Sequence, residues 1–239
     1  YAAVTAGMGA PTVLKTVDFS KYAVNAFNTL KEMAADMKPS RKLTYCFPVE
    51  LGGFNTFCPM LISLLEGIPF IDADGAGRAV PALDTLLLHI NGLDTSPLAM
   101  ADDKDNQVCI KLKDPKDAPM GEEIGRWICT AFGQLSGLSG WMVTKDEILK
   151  SLPCGTVTLC EKIGHELRAC AKNGGNAFEV LSAAGIECRY LTRGKVVKQE
   201  NLQAKGFDYG KVYVQADDGE WIIYFQNENL LVAHDGKPI

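Results

Sequence analysis

Leu43-Thr44-Tyr45-Cys46-Phe47-Pro48-Val49-Glu50-Leu51-Gly52-Gly53 is the stretch on which the fold turns. Residues 43–49 are almost continuously apolar, the pattern of a strand covered on both faces. The run then stops at a carboxylate and two glycines. Downstream, residues 56–66 read as a helix that tolerates Pro59 in its first turn and ends at Gly67, with Asn55 placed as its cap. Residues 68–71 read as a further strand, closed by Asp72-Ala73-Asp74-Gly75. Upstream, residues 1–8 form a short apolar strand that runs into Gly9-Ala10-Pro11. A helix follows, with Ser20 as cap, apolar Tyr22, Ala26, Phe27, Leu30, Met33, Ala34 and Met37 at helical spacing, and Pro39 as stop.

Strands alternating with helices over short connections predict a Rossmann-like, three-layer α/β domain with a parallel sheet. In such sheets ligands bind beyond the carboxyl ends of the strands, where helix N-termini also point. Glu50 and Asp72 are both expected there, on neighbouring strands and facing one hollow.

The rest of the chain divides by its period. Residues 97–101 and 107–112 flank the turn-rich 102–106 as a hairpin, and 122–132 reads as a helix. The Gly- and Ser-rich segment 133–140 reads as a loop and a boundary, giving an N-terminal domain over 1–136 and a C-terminal region over 137–239. Thr144-Lys145-Asp146-Glu147 has the form of a capping box, and helices are expected over 156–172 and 176–184, ended by Gly174 and Gly185. Beyond Glu187 come short β runs at 196–199, 211–215, 220–225 and 230–233, with Asp217-Asp218-Gly219 as a turn. These predict an antiparallel, barrel-like part. The opening on an apolar strand suggests that an N-terminal element precedes it.

Composition narrows the function. The chain has 239 residues, 47% of them hydrophobic, enough to bury a sizeable core. A formal net charge of −5, with Lys and Arg scattered among acidic neighbours, points away from nucleic acid and anionic membrane. There is no apolar run long enough to span a bilayer and no leader pattern, so a cytoplasmic location is expected. The 8 cysteines lack zinc-site spacing and read mostly as buried thiols. His89 reads as a core residue, His165 and His234 as solvated. There is no Gly-x-Ser-x-Gly elbow, phosphate-loop lysine motif or complete dinucleotide fingerprint.

The candidate chemistry gathers near one sheet edge. Glu50, Asp72 and Asp74 are the candidate acids and bases, because carboxylates held close together shift one another's pKa. Arg78 would hold an anion or developing negative charge. Gly52, Gly53, Asn55 and Gly75 are candidate substrate-binding positions around them. The same residues also suit two blander readings: Asp72 and Asp74 as turn caps neutralised by Arg78, or oxygen ligands for a divalent metal such as magnesium. No cofactor is otherwise called for. Gln226, Asn227 and Glu228, polar residues between two apolar β runs, either line a cleft between the domains or form a hydrogen-bonded turn.

At these residues the chain resembles the S-methyl thiohydantoin desulfurase family, which is associated with hydantoinase/oxoprolinase proteins. The resemblance is carried by Met8-Gly9-Ala10-Pro11-Thr12-Val13, Pro48-Val49-Glu50-Leu51-Gly52-Gly53 with Asn55, and Asp72-Ala73-Asp74-Gly75 with Gly77-Arg78-Ala79. Further along it is carried by Pro153 with Gly155-Thr156, Gly194-Lys195-Val196-Val197, and Phe225-Gln226-Asn227-Glu228-Asn229-Leu230. It implies two domains, further chain at both ends, and hydrolysis of a small cyclic ureide with release of a thiol. Glu50 or Asp72 would activate water, Asp74 would orient the ring, and Arg78 with the amides of Gly52 and Gly53 would stabilise negative charge. The alternative it implies is a non-catalytic partner subunit or domain of a hydantoinase/oxoprolinase, and an oligomer is compatible with either. In one place the chain departs from the family pattern: Ala82 follows Pro81 where the family carries glutamate.

Overall fold

The structure, a computed structural model, describes residues 1–204 and 207–239. The first part runs β1 (Ala2–Gly9), α1 (Ser20–Ala35), β2 (Tyr45–Pro48), α2 (Phe57–Glu66), α3 (Leu87–Ile90), β3 (Leu98–Ala101), β4 (Gln107–Ile110), α4 (Ala118–Ala131) and β5 (Leu135–Val143). Three helices follow, α5 (Lys145–Ser151), α6 (Thr156–Asn173) and α7 (Ala177–Ala183). The chain then forms β6 (Gly194–Ala204), β7 (Phe207–Ala216), β8 (Gly219–Gln226), β9 (Glu228–His234) and β10 (Lys237–Pro238).

The first sheet has the order β2-β1-β5-β3-β4. Its sides are distinct because strand residues alternate between faces. Val4, Ala6 and Met8 of β1 join Leu138 and Cys129 in one apolar cluster, with Ile124 and Ile128 of α4 packed on it. Ala3, on the opposite face, joins Ala23, Phe27, Leu30 and Ala34 of α1 and Ile62 of α2. Both faces are thus covered by helices, which is why β1 reads as a continuous apolar run.

The expected parallel, Rossmann-like sheet is not what forms. Among the described strands only β1 and β2 pair in parallel, Ala2 with Tyr45 through Thr5 with Pro48, with one further parallel bridge from Cys46 to Phe70. The pairs β1–β5, β5–β3 and β3–β4 are antiparallel, so the sheet is mixed. The expected strand at 68–71 contributes a single bridge, Phe70 to Cys46. Pro69 has no N–H to extend a ladder, although its carbonyl accepts from Cys46 N at 3.3 Å.

Segment 133–140 is the larger correction. It is not a loop: β5 lies in the middle of the sheet with every residue buried, and a division at residue 136 would run through it. Its small residues answer to close packing. A Cβ on Gly137 would lie 1.9 Å from Tyr22 O of α1, and one on Gly140 2.3 Å from Leu98 Cδ2. Glycine in a strand here marks close approach of a neighbouring element.

Other expectations stand. The 97–112 hairpin forms as β3–β4. Thr144 and Glu147 make the reciprocal capping box of α5. Gly174 and Gly185 adopt φ of 68° and 77° beyond the ends of α6 and α7. Ser20, by contrast, is the first residue of α1, and its N–H donates to Asp18 Oδ1 at 3.0 Å. The second sheet is an antiparallel meander, β10-β9-β8-β7-β6. Among the described residues its two edge strands do not pair, so no barrel closes. All eight cysteines are free thiols, but only four (Cys46, Cys58, Cys129, Cys170) are buried, rather than most of them; Cys109, Cys154 and Cys160 are exposed. Burial pushes Cys46, Cys58 and Cys129 up to about 12, which leaves them unreactive. His165 is exposed, but His234 is not simply solvated: its ring stacks on Trp221 with centroids 4.4 Å apart. His89 is half-buried and its buried Nδ1 has no hydrogen-bond partner.

Candidate active site

Beyond the carboxyl ends of β1 and β2 lies a cleft of about 200 Å³. Its walls are largely apolar, with Ala6, Met8, Val49, Leu83, Leu86 and Leu138 among them. Glu50, two residues past β2, points into this space while remaining 8% exposed. Two donors hold its carboxyl group. Asn55 Nδ2 donates to Oε1 at 2.6 Å and Val80 N donates to Oε2 at 2.5 Å. Asn55 is itself oriented by β1, since Gly7 N donates to its Oδ1 at 2.8 Å. Asn55 is therefore not the cap of α2, as the sequence predicted; it ties the 52–55 loop to both strands. Gly7 permits that loop to settle, because a Cβ there would meet Phe54 Cε1 at 2.5 Å.

Burial is the dominant influence on Glu50 and raises its pKa to about 7; the Val80 and Asn55 hydrogen bonds oppose it, and the charges of Glu228 and Asp74 add to it. Glu228, the first residue of β9, lines the same cleft with Asn227. Its pKa is also raised by burial, against the lowering field of Arg78. Asn227 has φ of 54° and closes the β8–β9 turn by exchanging bonds with Asp208: its N–H donates to Asp208 O at 2.7 Å, and its Oδ1 accepts from Asp208 N at 2.8 Å. The segment forms a hydrogen-bonded turn, and of its polar residues Asn227 and Glu228, not Gln226, line the cleft.

The other candidates separate from Glu50. Asp72 lines a different hollow, between α2 and α6. Its Oδ1 accepts from Val157 N at 2.8 Å and Thr158 N at 3.2 Å, and Thr158 Oγ1 donates to Oδ2 at 2.5 Å. Burial would raise the Asp72 pKa, but these bonds outweigh it and hold the group below the ordinary carboxylate value. The expectation that Glu50 and Asp72 share one hollow therefore does not hold; Asp72 caps α6. Asp74 is fully buried, and its Oδ1 accepts from Ala76 N at 2.8 Å and Gly77 N at 2.5 Å. It shapes the turn leading to Val80, while its Oδ2 is buried without a partner. Arg78 is exposed, does not line the cleft, and donates through Nε to Ala79 O at 3.0 Å.

Of the glycines, Gly52 and Gly53 line the cleft, but the Gly52 N–H donates to Thr56 Oγ1 at 3.0 Å. Gly75 lies outside it, buried where a Cβ would come within 2.5 Å of Val49 O. Gln226 faces a neighbouring hollow with Phe207 and Trp127. Among the described residues no three His, Cys, Asp or Glu side chains gather as ligands for a metal ion.

Sequence reading missed Glu122 and Arg126, which line the cleft from α4. They form an i, i+4 ion pair at 2.5 Å with side chains 12% and 11% exposed. Arg126 Nη2 also donates to Pro81 O at 2.9 Å, and its guanidinium stands 3.6 Å from the Phe207 ring centroid, docking the second sheet. Their helical spacing was visible in the expected helix, but not the burial that makes the pair matter. Glu122 Oε2 accepts from Leu83 N at 3.0 Å, beside Ala82, which also lines the cleft.

A mixed α/β unit joined to an antiparallel meander, with a buried carboxyl in the cleft where they meet, describes the class of protein. Residues 1–112 match the S-Me-THD-like N-terminal domain and residues 116–239 the S-Me-THD-like C-terminal domain. The chain belongs to this S-methyl thiohydantoin desulfurase-like family. It is also similar to a crystal structure of a protein from Chromobacterium violaceum solved by the Northeast Structural Genomics Consortium, with 26% identity and a TM-score of 0.80. That likeness covers 99% of this chain and 63% of the other. Among curated proteins there is no match. Among the described residues no helix is long and apolar enough to cross a membrane.

Proposed function

We propose that the cleft hydrolyses the exocyclic carbon–sulfur bond of a small S-methyl thiohydantoin-type ring, water replacing sulfur and the thiol leaving. The reading rests on one observation: Glu50 is buried among apolar walls with a pKa of about 7, its oxygens held by Asn55 and Val80. A carboxyl poised near neutrality takes a proton from water and returns it to a leaving group in the same turnover. The family supplies the substrate type, and a cleft of about 200 Å³ suits a five-membered ring. Glu50 is the base, and Asn227 and Glu228 hold the ring. Gly53, with open space at its Cα, lets the ring approach the backbone. Asp74 acts through the 76–80 turn, and Asp72 and Arg78 take no part in the chemistry.

Glu50→Gln should abolish methanethiol release while the protein stays folded; retained turnover removes Glu50 from the mechanism.

Ala82 favours a second reading. It lines the cleft where the resemblance implies a glutamate, so the chain would instead be a partner subunit or domain of a hydantoinase/oxoprolinase. Assaying the purified chain alone separates the two, because a partner domain is silent until its companion is added.

A further inference from the structure

Among the described residues, the charged side chains lining the cleft are three carboxylates, Glu50, Glu122 and Glu228, and one guanidinium, Arg126. Arg126 and Glu122 neutralise each other in their buried ion pair. Two carboxyl groups then remain to face whatever enters. Of the groups expected to meet negative charge, Arg78 is not part of the cleft lining and reaches it only through its field on Glu228, and the Gly52 N–H is held by Thr56. A mostly apolar cleft with this balance, once its carboxyl groups are ionised, stabilises positive charge and disfavours anions.

We infer that the cleft takes its ring as a cation, an N-protonated cyclic amidine whose ring N–H groups donate to Glu50 and Glu228, and that it rejects rings carrying a carboxylate. The ring part of this inference rests on the function proposed above; the sign of the ligand's charge does not. The chemistry fits an S-alkyl isothiourea ring. In water such an acylated ring is weakly basic, and two facing carboxylates raise its proton affinity. Protonation at nitrogen makes the sulfur-bearing carbon more electrophilic, so addition of water generates no oxyanion. The carbon–oxygen bond forms as the C=N pair returns to nitrogen and one water proton passes to Glu50. The carbon–sulfur bond then breaks with its electron pair on sulfur, which takes that proton back from Glu50. The hydroxyl proton passes to Glu228 as the ring carbonyl forms.

Calorimetric titration of the intact chain near pH 7 with four non-reacting probes tests this. These are 2-aminoimidazolinium (a cationic ring), 2-imidazolidinone (its neutral counterpart), hydantoin-5-acetate (an anionic ring) and acetamidinium (a cation without a ring). The cationic ring should bind at least about tenfold more tightly than the neutral one, and the anionic ring at least about tenfold more weakly. Glu228→Gln should narrow the preference for the cationic over the neutral ring by about tenfold. Equal binding of cationic and neutral rings, or good binding of the anion, overturns the inference and leaves the ring-hydrolysis reading standing. Binding of acetamidinium with no ring bound overturns that reading and keeps the charge rule. If no probe binds, both fall. The wild-type comparison decides the matter even if the variant does not fold.

Discussion

Glu50 is subject to two opposed influences, burial that favours its neutral form and two hydrogen bonds that favour its charge, and burial prevails. In the unfolded chain the group releases its proton near the ordinary 4.5, in the native cleft near 7. Between those values the native state holds more protons, so the stability Glu50 contributes is complete below the lower value, falls as pH rises, and is lost above the upper one. The size is about 3 kcal/mol. Urea unfolding at about pH 5 and pH 8 should show the wild type losing roughly this much more than Glu50→Gln; parallel losses would mean that the group is not buried as described. The kinetic sign is opposite, because a base works only when ionised. Thiol release should rise with pH through about 7, and a rate flat across that range would argue against Glu50 as base.

At the scale of elements, β5 and α6 show how distant segments set each other. Gly137 lies under α1, where the obstacle to a Cβ is the backbone carbonyl of Tyr22 at 1.9 Å. Gly137→Ala should therefore push helix and sheet apart and cost about 3 kcal/mol or more, read as a lowered urea midpoint. This explains why the segment looked like a loop. Its glycines and serines are the usual residues of turns, and only the packing of α1 and Leu98 shows that they are small for want of room. The start of α6 has no cap of its own, because its neighbour Gly155 has no side chain, and Asp72 reaches across to satisfy its first amides. Asp72→Ala should cost about 1 kcal/mol and speed amide exchange at Val157 and Thr158. Turnover should persist; its loss without unfolding would return Asp72 to the chemistry.

For the whole molecule, the cleft exists because the β8–β9 turn is brought against the first sheet. Arg126 is central to that docking, joining Glu122, Pro81 and the Phe207 ring. Arg126→Ala leaves Glu122 buried without its cation, and breaking a buried pair in this way costs about 3 kcal/mol. The expected result is a lowered unfolding midpoint together with a raised KM, since Glu228 arrives with the same sheet. An unchanged KM would mean that the turn keeps its place by other contacts.

Local patterns determined much of this protein by themselves. The strand of residues 1–8, the 97–112 hairpin, the capping box at Thr144, the glycines ending α6 and α7, and the late β runs all follow from residues close in sequence, and Glu50 was visible as a carboxylate ending an apolar run. Pairing and proximity were decided only by tertiary structure. Whether a strand lies parallel or antiparallel, whether small residues mark a turn or a tight contact, and whether Asp72 shares a cavity with Glu50 depend on segments tens of residues apart. The same holds for Glu50 itself: its identity is local, but its proton affinity comes from walls and hydrogen-bond donors brought to it by folding.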